Sequence, residues 1–468
     1  MVGDGFGGRE WYQPTNYTVG SYSAFSICTN TTLGNNQLFG WGDNSHNTLS
    51  ILPTNTPTLI PNMINTSFIS SGYQTGAIKC DSTGWAWGNK VFGLPFQVIT
   101  DAKFVSAGMR NVSFVKYDGT VWSVGSHGIN FGSGSPTNTN TFIPVQMLNI
   151  NNAVRVSNNE KASIILLSDS TLMSVGDGNG GELGLGTTIS QTLTPLPITS
   201  LPKIIDIKSN KEGTIALTDS GNVYYWGNIF GIISTPIMLP NLKEIIAISG
   251  TDDGSHFLML DKFKNCYAYG KNLYGQCGMS STLNTFINTP TIVDSNVIDI
   301  MAGEDFSYIV KSDYSLWCSG RSSNPTGSIW LNLPPIQRDA FTMVSPNQVI
   351  NGCIVSTVSC NKITNNPNYN DSTSVIDSVY FPNVFTPNGD GNNDNFYFPN
   401  WGISGLKCEI YNRWGLKIHE WHTINGFWDG RTTSGKECPD GVYYYIVSYR
   451  KITSENWEKH TGYISLLR

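Results

Sequence analysis

Residues Val105-Ser-Ala-Gly108, Val112-Ser-Phe-Val115, Asp118-Gly119 and Val121-Trp122-Ser-Val-Gly125 read as one unit. It is an apolar strand, a second apolar strand, a tight turn, and an aromatic strand that closes on glycine. Alternation through Val121 to Val124 sends successive side chains to opposite faces, the period of a strand. Asp-Gly is hairpin turn chemistry. A glycine after the aromatic strand suits a backbone that needs positive φ or close packing. The unit recurs as Ile204 to Lys208, Thr214 to Leu217, Asp219-Ser-Gly221 and Val223-Tyr-Tyr-Trp-Gly227. Another copy is Ile245 to Gly250, His256-Phe-Leu-Met-Leu260 and Cys266-Tyr-Ala-Tyr-Gly270. The closing glycines are Gly42, Gly88, Gly125, Gly176, Gly227, Gly270 and Gly320, spaced 37 to 51 residues apart. Strand-only repeats of this length are blades of a β-propeller. The expected fold is all-β: a seven-bladed propeller over residues 1–360, with eight blades as the alternative count, and a small β-sandwich at the C-terminus.

Composition agrees. Charged residues are 13% of the 468, against about 25% in an ordinary globular chain. The 48 glycines and 12% aromatics exclude long-range disorder and argue against helical bundles. The net charge of −6, with no long basic cluster, argues against nucleic acid or an anionic membrane as partner. No apolar run reaches the roughly 18–20 residues of a membrane span. The nine cysteines include no C-x-x-C pair, which removes the usual structural zinc signature. Cys408 and Cys438 are the candidates for a disulfide near the C-terminus. Met1 to Glu10 lacks the basic and apolar regions of a signal peptide. The chain is therefore either cytoplasmic or missing its natural start.

The repeats resemble those of the RCC1 (regulator of chromosome condensation) family. The resemblance rests on the hairpins Leu38-Phe-Gly-Trp41-Gly42, Trp85-Ala-Trp87-Gly88 and Tyr224-Tyr-Trp226-Gly227. It also rests on the segments Asn179-Gly-Gly-Glu-Leu183-Gly184 and Asn272-Leu-Tyr-Gly275-Gln276. It covers about residues 1–356. The family's histidine at the start of the second strand is matched only by His256. Val2-Gly-Asp-Gly5-Phe-Gly-Gly8 mirrors Val175-Gly-Asp-Gly178-Asn-Gly-Gly181, so the chain starts in the back half of a repeat. Phe341 to Thr357 reads as a front half. Pairing the two would close the ring.

Residues 361–378 are Asn/Ser/Thr-rich and read as a linker. Beyond it the texture changes. The stations are Pro382-Asn383-Val-Phe385-Thr386-Pro387-Asn388-Gly389-Asp390-Gly391-Asn392-Asn393-Asp394, Asn412-Arg413-Trp414-Gly415, Trp428-Asp429-Gly430, Gly441-Val-Tyr443, and Gly462 to the terminal Arg468. Six or seven short strands in about 90 residues suggest the sandwich. Residues 379–468 resemble the gliding-motility-associated C-terminal domain, the type B sorting domain of the type IX secretion system of Bacteroidota. That resemblance implies export across the outer membrane, the secretion machinery as a partner, and an extracellular or outer-membrane-surface location. From the residues alone, the Asn/Asp/Gly run is turn chemistry, and Arg413 and Trp414 are a pair that could stack across a sheet face.

Other motifs weigh less. Gly3-x-Gly5-x-x-Gly8 and Gly176-x-Gly178-x-x-Gly181 match a dinucleotide fingerprint but lack the helix that it requires. Gly430 to Lys436 resembles a P-loop, with Glu437 in place of the magnesium-binding hydroxyl. His419 and His422 sit three apart on an expected strand, on opposite sides. Asp390, Asn392 and Asp394 have the 1-3-5 spacing of calcium loops, but the twelfth position is Trp401 rather than Glu. They are the single metal candidate, an Asx-turn lattice is the stronger reading, and no other cofactor is expected. No nucleophile-base constellation can be nominated from spacing. The functional expectation is a non-catalytic binding or adhesion protein whose propeller presents loops to a protein or glycan. A secreted inhibitor or enzyme is the alternative. A nucleotide-exchange or chromatin role is opposed by the acidic balance and the sorting module.

Overall fold

The computed structural model describes most of residues 17–354 and 384–466. The longest stretches outside the description are 1–16, 322–336, 355–383 and 388–394. The chain divides into two compact units, residues 1–367 and 368–468.

In the first unit, seven antiparallel sheets succeed one another among the described residues. The third is the unit quoted above: Ala102–Ala107, Asn111–Lys116, Val121–Gly125 and Thr141–Gln146, paired in that order. Sheets beginning at Thr66, Ala153, Ile204, Ile245 and Val297 repeat it. The first strands of neighbouring sheets lie side by side. They line the central tunnel of the ring, and the fourth strands form its outer edge. Apolar side chains fill the space between sheets. Trp41, Trp87 and Trp226 are fully buried there. Full burial of a large apolar side chain stabilises by about 1.5–3 kcal/mol.

The ring closes where Val19, Ala24, Phe39 and Trp41 of the first sheet pack on Met301, Phe306, Tyr308 and Val310 of the seventh. The closure differs from the sequence expectation. Phe341 lies in Arg338–Ser345, the outer strand of the seventh sheet, because Leu316–Gly320 needs a fourth-strand partner and pairs with it. Val349–Ile350 and Cys353–Ile354 form a hairpin instead, and Ile354 pairs with Thr29 of the first sheet. Val2 to Gly8 and the linker 361–378 lie outside the described residues.

All seven closing glycines have φ between 100° and 130°. Gly227 shows why: a Cβ there would lie 2.2 Å from the Glu212 carbonyl oxygen. The left-handed backbone and the tight approach to the preceding loop both require glycine.

The second unit is a small sandwich. Its larger sheet runs Val384–Phe385, Trp457–Leu466, Gly441–Lys451, Ile403–Tyr411, Lys417–Trp421. Phe396–Tyr397 and Phe427–Trp428 form a two-stranded ribbon. Phe385, Phe396, Trp421, Trp428, Tyr443 and Tyr445 share one core. Cys408 and Cys438 are both buried in that core but are not joined as a disulfide. Cys80, in the propeller, is disulfide-bonded.

Candidate functional site

The C-terminal stations divide into core and surface. Phe385, Trp428 and Tyr443 are buried. Trp428 Nε1 donates to the Arg431 carbonyl at 2.7 Å, and Tyr443 hydroxyl donates to the Pro439 carbonyl at 2.6 Å. Gly462 makes room for Tyr445, whose hydroxyl would lie 2.3 Å from a Cβ at that position. Asp429 accepts the Arg431 N–H at 3.0 Å, next to Gly430 with φ 80°. Asn412 accepts the N–H groups of Trp414 and Leu416 at 3.0 Å each, and Gly415 at φ 78° completes that turn. Gly441 opens its strand at φ 145°.

Arg413 and Trp414 occupy the tip of the turn. Trp414 is 75% exposed, with the Arg413 guanidinium 4.3 Å from its ring. The pair is therefore formed between neighbours on a turn, not across a sheet, because Asn412 folds the chain back at this point. Pro387 is partly buried. Pro382, Asn383, Thr386, Asn388, Gly389, Asp390, Gly391, Asn392, Asn393, Asp394 and Arg468 lie outside the described residues, and the calcium candidate lies there with them.

Beside the turn, Tyr411 pairs with Tyr444, and Tyr444 with Tyr463, across three adjacent strands. Tyr444 and Tyr463 are each about half exposed. With Arg413 they line an open groove of about 550 Å³. Tyr411 hydroxyl donates to Glu409 at 3.0 Å, and Lys417 bridges Glu409 and Glu420 at 3.1 and 2.7 Å. The sequence reading missed this ladder. Its signal was the run Tyr443-Tyr444-Tyr445: strand alternation must turn the middle ring to the opposite face from its neighbours.

The propeller gathers its polar chemistry at one mouth of the tunnel. From the second sheet to the seventh, the loop joining first to second strand lies there, beside the closing glycine. From Ser106 to Asn111, Ser157 to Ala162, Lys208 to Gly213 and Met301 to Phe306 the loop spans five positions, but from Ser249 to His256 it spans seven. The longer loop reaches the second sheet. Thr251 hydroxyl donates to the Ser71 carbonyl at 3.4 Å, and a Cβ on Gly72 would lie 1.9 Å from Asp252 Oδ1. Asp253 lies 3.8 Å from Lys211 and beside Tyr73 and Glu304. Burial, and then the neighbouring Asp253, push the Asp252 carboxyl far above its ordinary value. Burial, then Asp253 and Glu304, raise the Tyr73 phenol. Around this mouth, Arg110 pairs with Glu160 at 3.2 Å and Lys161 with Glu182 at 2.6 Å, while Lys271 pairs with Glu212 and Arg321 with Asp305. The rim thus carries both signs of charge.

His256 is a core residue. Burial pushes it down to about 3, and its Nε2 shares a 2.8 Å bond with Ser307 hydroxyl. Gly176 to Gly181 forms a turn, with Gly181 N–H donating to the Gly178 carbonyl, and no helix follows. Gly3 to Gly8 lies outside the described residues. Gly430 to Lys436 is a hairpin held by Thr432 to Lys436 and Arg431 to Glu437 bonds. His419 Nε2 lies 3.3 Å from the Phe427 carbonyl, and His422 lies 3.6 Å from Glu420. Among the described residues, no group of three or more His, Cys, Asp or Glu side chains is placed to hold a metal. Among the described residues, no helix is long and apolar enough to cross a membrane.

Residues 379–466 match the family model described as the CHU_C type IX secretion signal domain. The propeller is similar to RCC1-repeat proteins. It is 28% identical to protein pim1 of Schizosaccharomyces pombe over 163 residues, 30% of this chain and 29% of that protein. It is 26% identical to the ultraviolet-B receptor UVR8 of Arabidopsis thaliana over 243 residues, 46% of this chain and 52% of that protein. Each match spans less than two thirds of the relative's length. Among solved structures, Prp20p of Saccharomyces cerevisiae aligns with a TM-score of 0.57 at 16% identity, covering 71% of this chain and 86% of that one. Human WBSCR16 aligns with a TM-score of 0.54 at 17% identity, covering 65% and 88%. The chain thus joins a β-propeller of the RCC1 fold to a type IX secretion signal domain, which marks it for export by that route.

Proposed function

We propose that the chain is a non-catalytic binding protein of the cell exterior. Its propeller captures a protein through the loop-bearing mouth, and its C-terminal domain is read by the export machinery. The observation that carries the first half is the lengthened loop from Ser249 to His256. It covers the tunnel mouth and sets Asp252 and Asp253 inside a rim of paired charges. A mixed-charge rim around a closed centre suits a protein partner of complementary pattern, where charge sets specificity and encounter rate. The unusual ionisable groups have structural uses: His256 is neutral and bonded to Ser307, and Asp252 abuts the Gly72 backbone. The second half is supported by the exposed Arg413 and Trp414. Arginine and tryptophan are enriched where partners dock, and these two do little for the core.

The test has two arms. Full-length protein with a native leader and a truncation ending before Phe381 are fractionated from expressing cells. Retention of the truncation, with export of the full chain, supports the sorting role, whereas equal export refutes it. The purified propeller is then offered to surface extracts, with Lys211→Glu and Arg110→Glu as charge-reversed controls. Capture that both reversals weaken supports the mouth as the binding face. Capture that neither changes rejects it.

A further inference from the structure

The larger C-terminal sheet packs one face into its core, with Cys408, Ile410, Tyr445 and Val447. Alternation then turns Tyr411, Tyr444 and Tyr463 to the outer face, one ring from each of three adjacent strands. Strands lie about 4.8 Å apart, so the row is about 10 Å long. Along the same face Ile446 is paired with Thr461, and Arg450 with Trp457. Val442, Tyr444, Trp457 and Tyr463 are each about half exposed. Water satisfies exposed polar groups but not ring faces, and contiguous exposed apolar surface marks a place where something binds. Trp457 is also held in place. The Lys407 ammonium lies 5.2 Å and the Arg450 guanidinium 5.8 Å from its ring, and a Cβ on Gly405 would stand 3.0 Å from the indole.

Charge is segregated on this face. Residues 380–468 carry nine basic and nine acidic side chains. Among the described residues of the sheet, the carboxylates of the outer face are Glu409 and Glu420, and Lys417 engages both, at 3.1 and 2.7 Å. Glu458 belongs to the other face, where it accepts the Tyr449 hydroxyl at 2.8 Å. Lys407 and Lys459 both stand level with Ser448, on the strands to either side of it. Neither has an ion-pair partner among the described residues. With Arg450 they leave the Trp457 end of the face positive and without a facing carboxylate.

We propose that this outer face binds an acidic polysaccharide, with sugar rings stacked on Tyr411, Tyr444 and Tyr463 and carboxylate groups drawn to Lys407 and Lys459 beside Trp457. A tyrosine ring presents an electron-rich face with a hydroxyl at its edge. A sugar ring presents the complement, a patch of slightly positive C–H bonds bordered by hydroxyls. A row of rings in an open groove fits a linear polymer, whereas a protein partner needs pockets for its anchors. The cations are gathered past one end of the row rather than along it, unlike the charged groove that tracks a nucleic-acid backbone. The site does not depend on the reading of Arg413 and Trp414 by the export machinery, because it acts on the folded chain after purification.

The purified full chain is run by affinity electrophoresis through gels containing polygalacturonate, neutral dextran, polyglutamate or oligothymidylate. Polygalacturonate should retard it most. Tyr444→Ala combined with Tyr463→Ala should weaken that binding about tenfold, the worth of two aromatic contacts. Lys407→Glu combined with Lys459→Glu should weaken it similarly and remove the preference for polygalacturonate over dextran. Lys436→Glu, which makes the same charge change on the Arg431 to Glu437 hairpin, should leave binding as it is. Melting curves confirm folding, and threonine replaces alanine at Tyr444 and Tyr463 if the alanine pair does not fold. The inference is overturned if polygalacturonate does not retard the wild-type chain, or if polyglutamate or oligothymidylate retards it as strongly. It is equally overturned if folded tyrosine or lysine variants bind as the wild type does, or if Lys436→Glu alone abolishes binding.

Discussion

Trp122 Nε1 donates to Thr120 Oγ1 at 2.9 Å, and Thr120 Oγ1 in turn donates to Asp118 at 2.6 Å. The same relay joins Trp85, Thr83 and Asp81, and again Trp317, Ser315 and Asp313. Lysines lie over the same indoles: Lys79 at 3.8 Å from Trp85, Lys116 at 5.8 Å from Trp122, and Lys311 at 4.2 Å from Trp317. Each turn thus locks an aromatic ring on one side while a cation covers it.

Thr120→Val deletes both bonds of the relay and leaves the indole N–H and the carboxylate short of a partner. It should destabilise the propeller by about 1–2 kcal/mol. Trp122→Phe should cost a comparable amount. Urea unfolding of both singles and the double checks the coupling: the double should cost less than the sum, because one interaction is lost twice. Additive losses would show that the relay is not a unit.

The hydroxyl of Ser315 is the largest influence holding the Asp313 carboxyl below its ordinary value, and Thr171 does the same for Asp169. A carboxyl depressed in the folded state stabilises above its unfolded pKa, and that contribution fades as pH falls through the folded value. Asp252 has the opposite sign. Its folded value is raised by burial and by Asp253, so the unfolded chain releases this proton more readily and stability declines as pH rises from about 4 toward that raised value. Asp252→Asn should therefore raise the melting temperature near pH 7, and the gain should shrink near pH 4. Melting curves at both values decide it. A gain that is equal at both, or a loss at pH 7, would contradict this assignment.

Much of this fold is legible in the sequence because one constraint repeats. Gly125 and Gly227 sit where a Cβ would strike the preceding loop, so the same residue returns at the same place in every blade. Alternation in Val121 to Val124 then places the strands. Closure was less legible. Phe341 looks like the start of a front half, but strand identity depends on which neighbour lacks a partner, and that is a long-range fact. The Tyr411, Tyr444 and Tyr463 ladder needed register across three strands, which no local pattern contains. The side-chain bonds that lace neighbouring sheets, Ser157 Oγ accepting the Ser209 N–H and Ser249 Oγ the Ala302 N–H, join residues more than fifty positions apart and so have no local signal. In the C-terminal motif the sequence does not separate Trp428, which fills the core, from Trp414, which leaves it.

That separation predicts opposite phenotypes for two tryptophans of one motif. Trp428→Ala removes a fully buried ring and its bond to the Arg431 carbonyl, and should cost about 3–5 kcal/mol. The C-terminal unit should then lose its cooperative melting transition. Trp414→Ala removes a ring that is 75% exposed, so the change in stability should stay within about 0.5 kcal/mol. Export should nevertheless fall with Trp414→Ala and fall further with Arg413→Ala added. Calorimetry of the purified variants and secretion assays in cells give the two readouts. A Trp414→Ala chain that is exported normally would remove this turn from the recognition surface.

Two glycines with positive φ make the last contrast. Gly227, at φ 129°, has the Glu212 carbonyl oxygen 2.2 Å and the Gly213 Cα 2.3 Å from where a Cβ would stand. Gly415, at φ 78°, has nothing within 4 Å of that point. Gly227→Ala must both adopt an unfavourable backbone and push apart two strands of the fifth sheet. Strain of this kind costs about 1–3 kcal/mol before the collision is counted, so the total should exceed that. Gly415→Ala carries only the left-handed backbone, about 1–2 kcal/mol. Denaturant unfolding followed separately for each unit measures both. Because Gly125 shares both the left-handed backbone of Gly227 and its collision, with a Cβ that would lie 2.2 Å from the Arg110 carbonyl oxygen, alanine there should reproduce the loss. If Gly125→Ala were harmless while Gly227→Ala was not, the repeat's closing position would be a local peculiarity of the fifth blade rather than a rule of the fold.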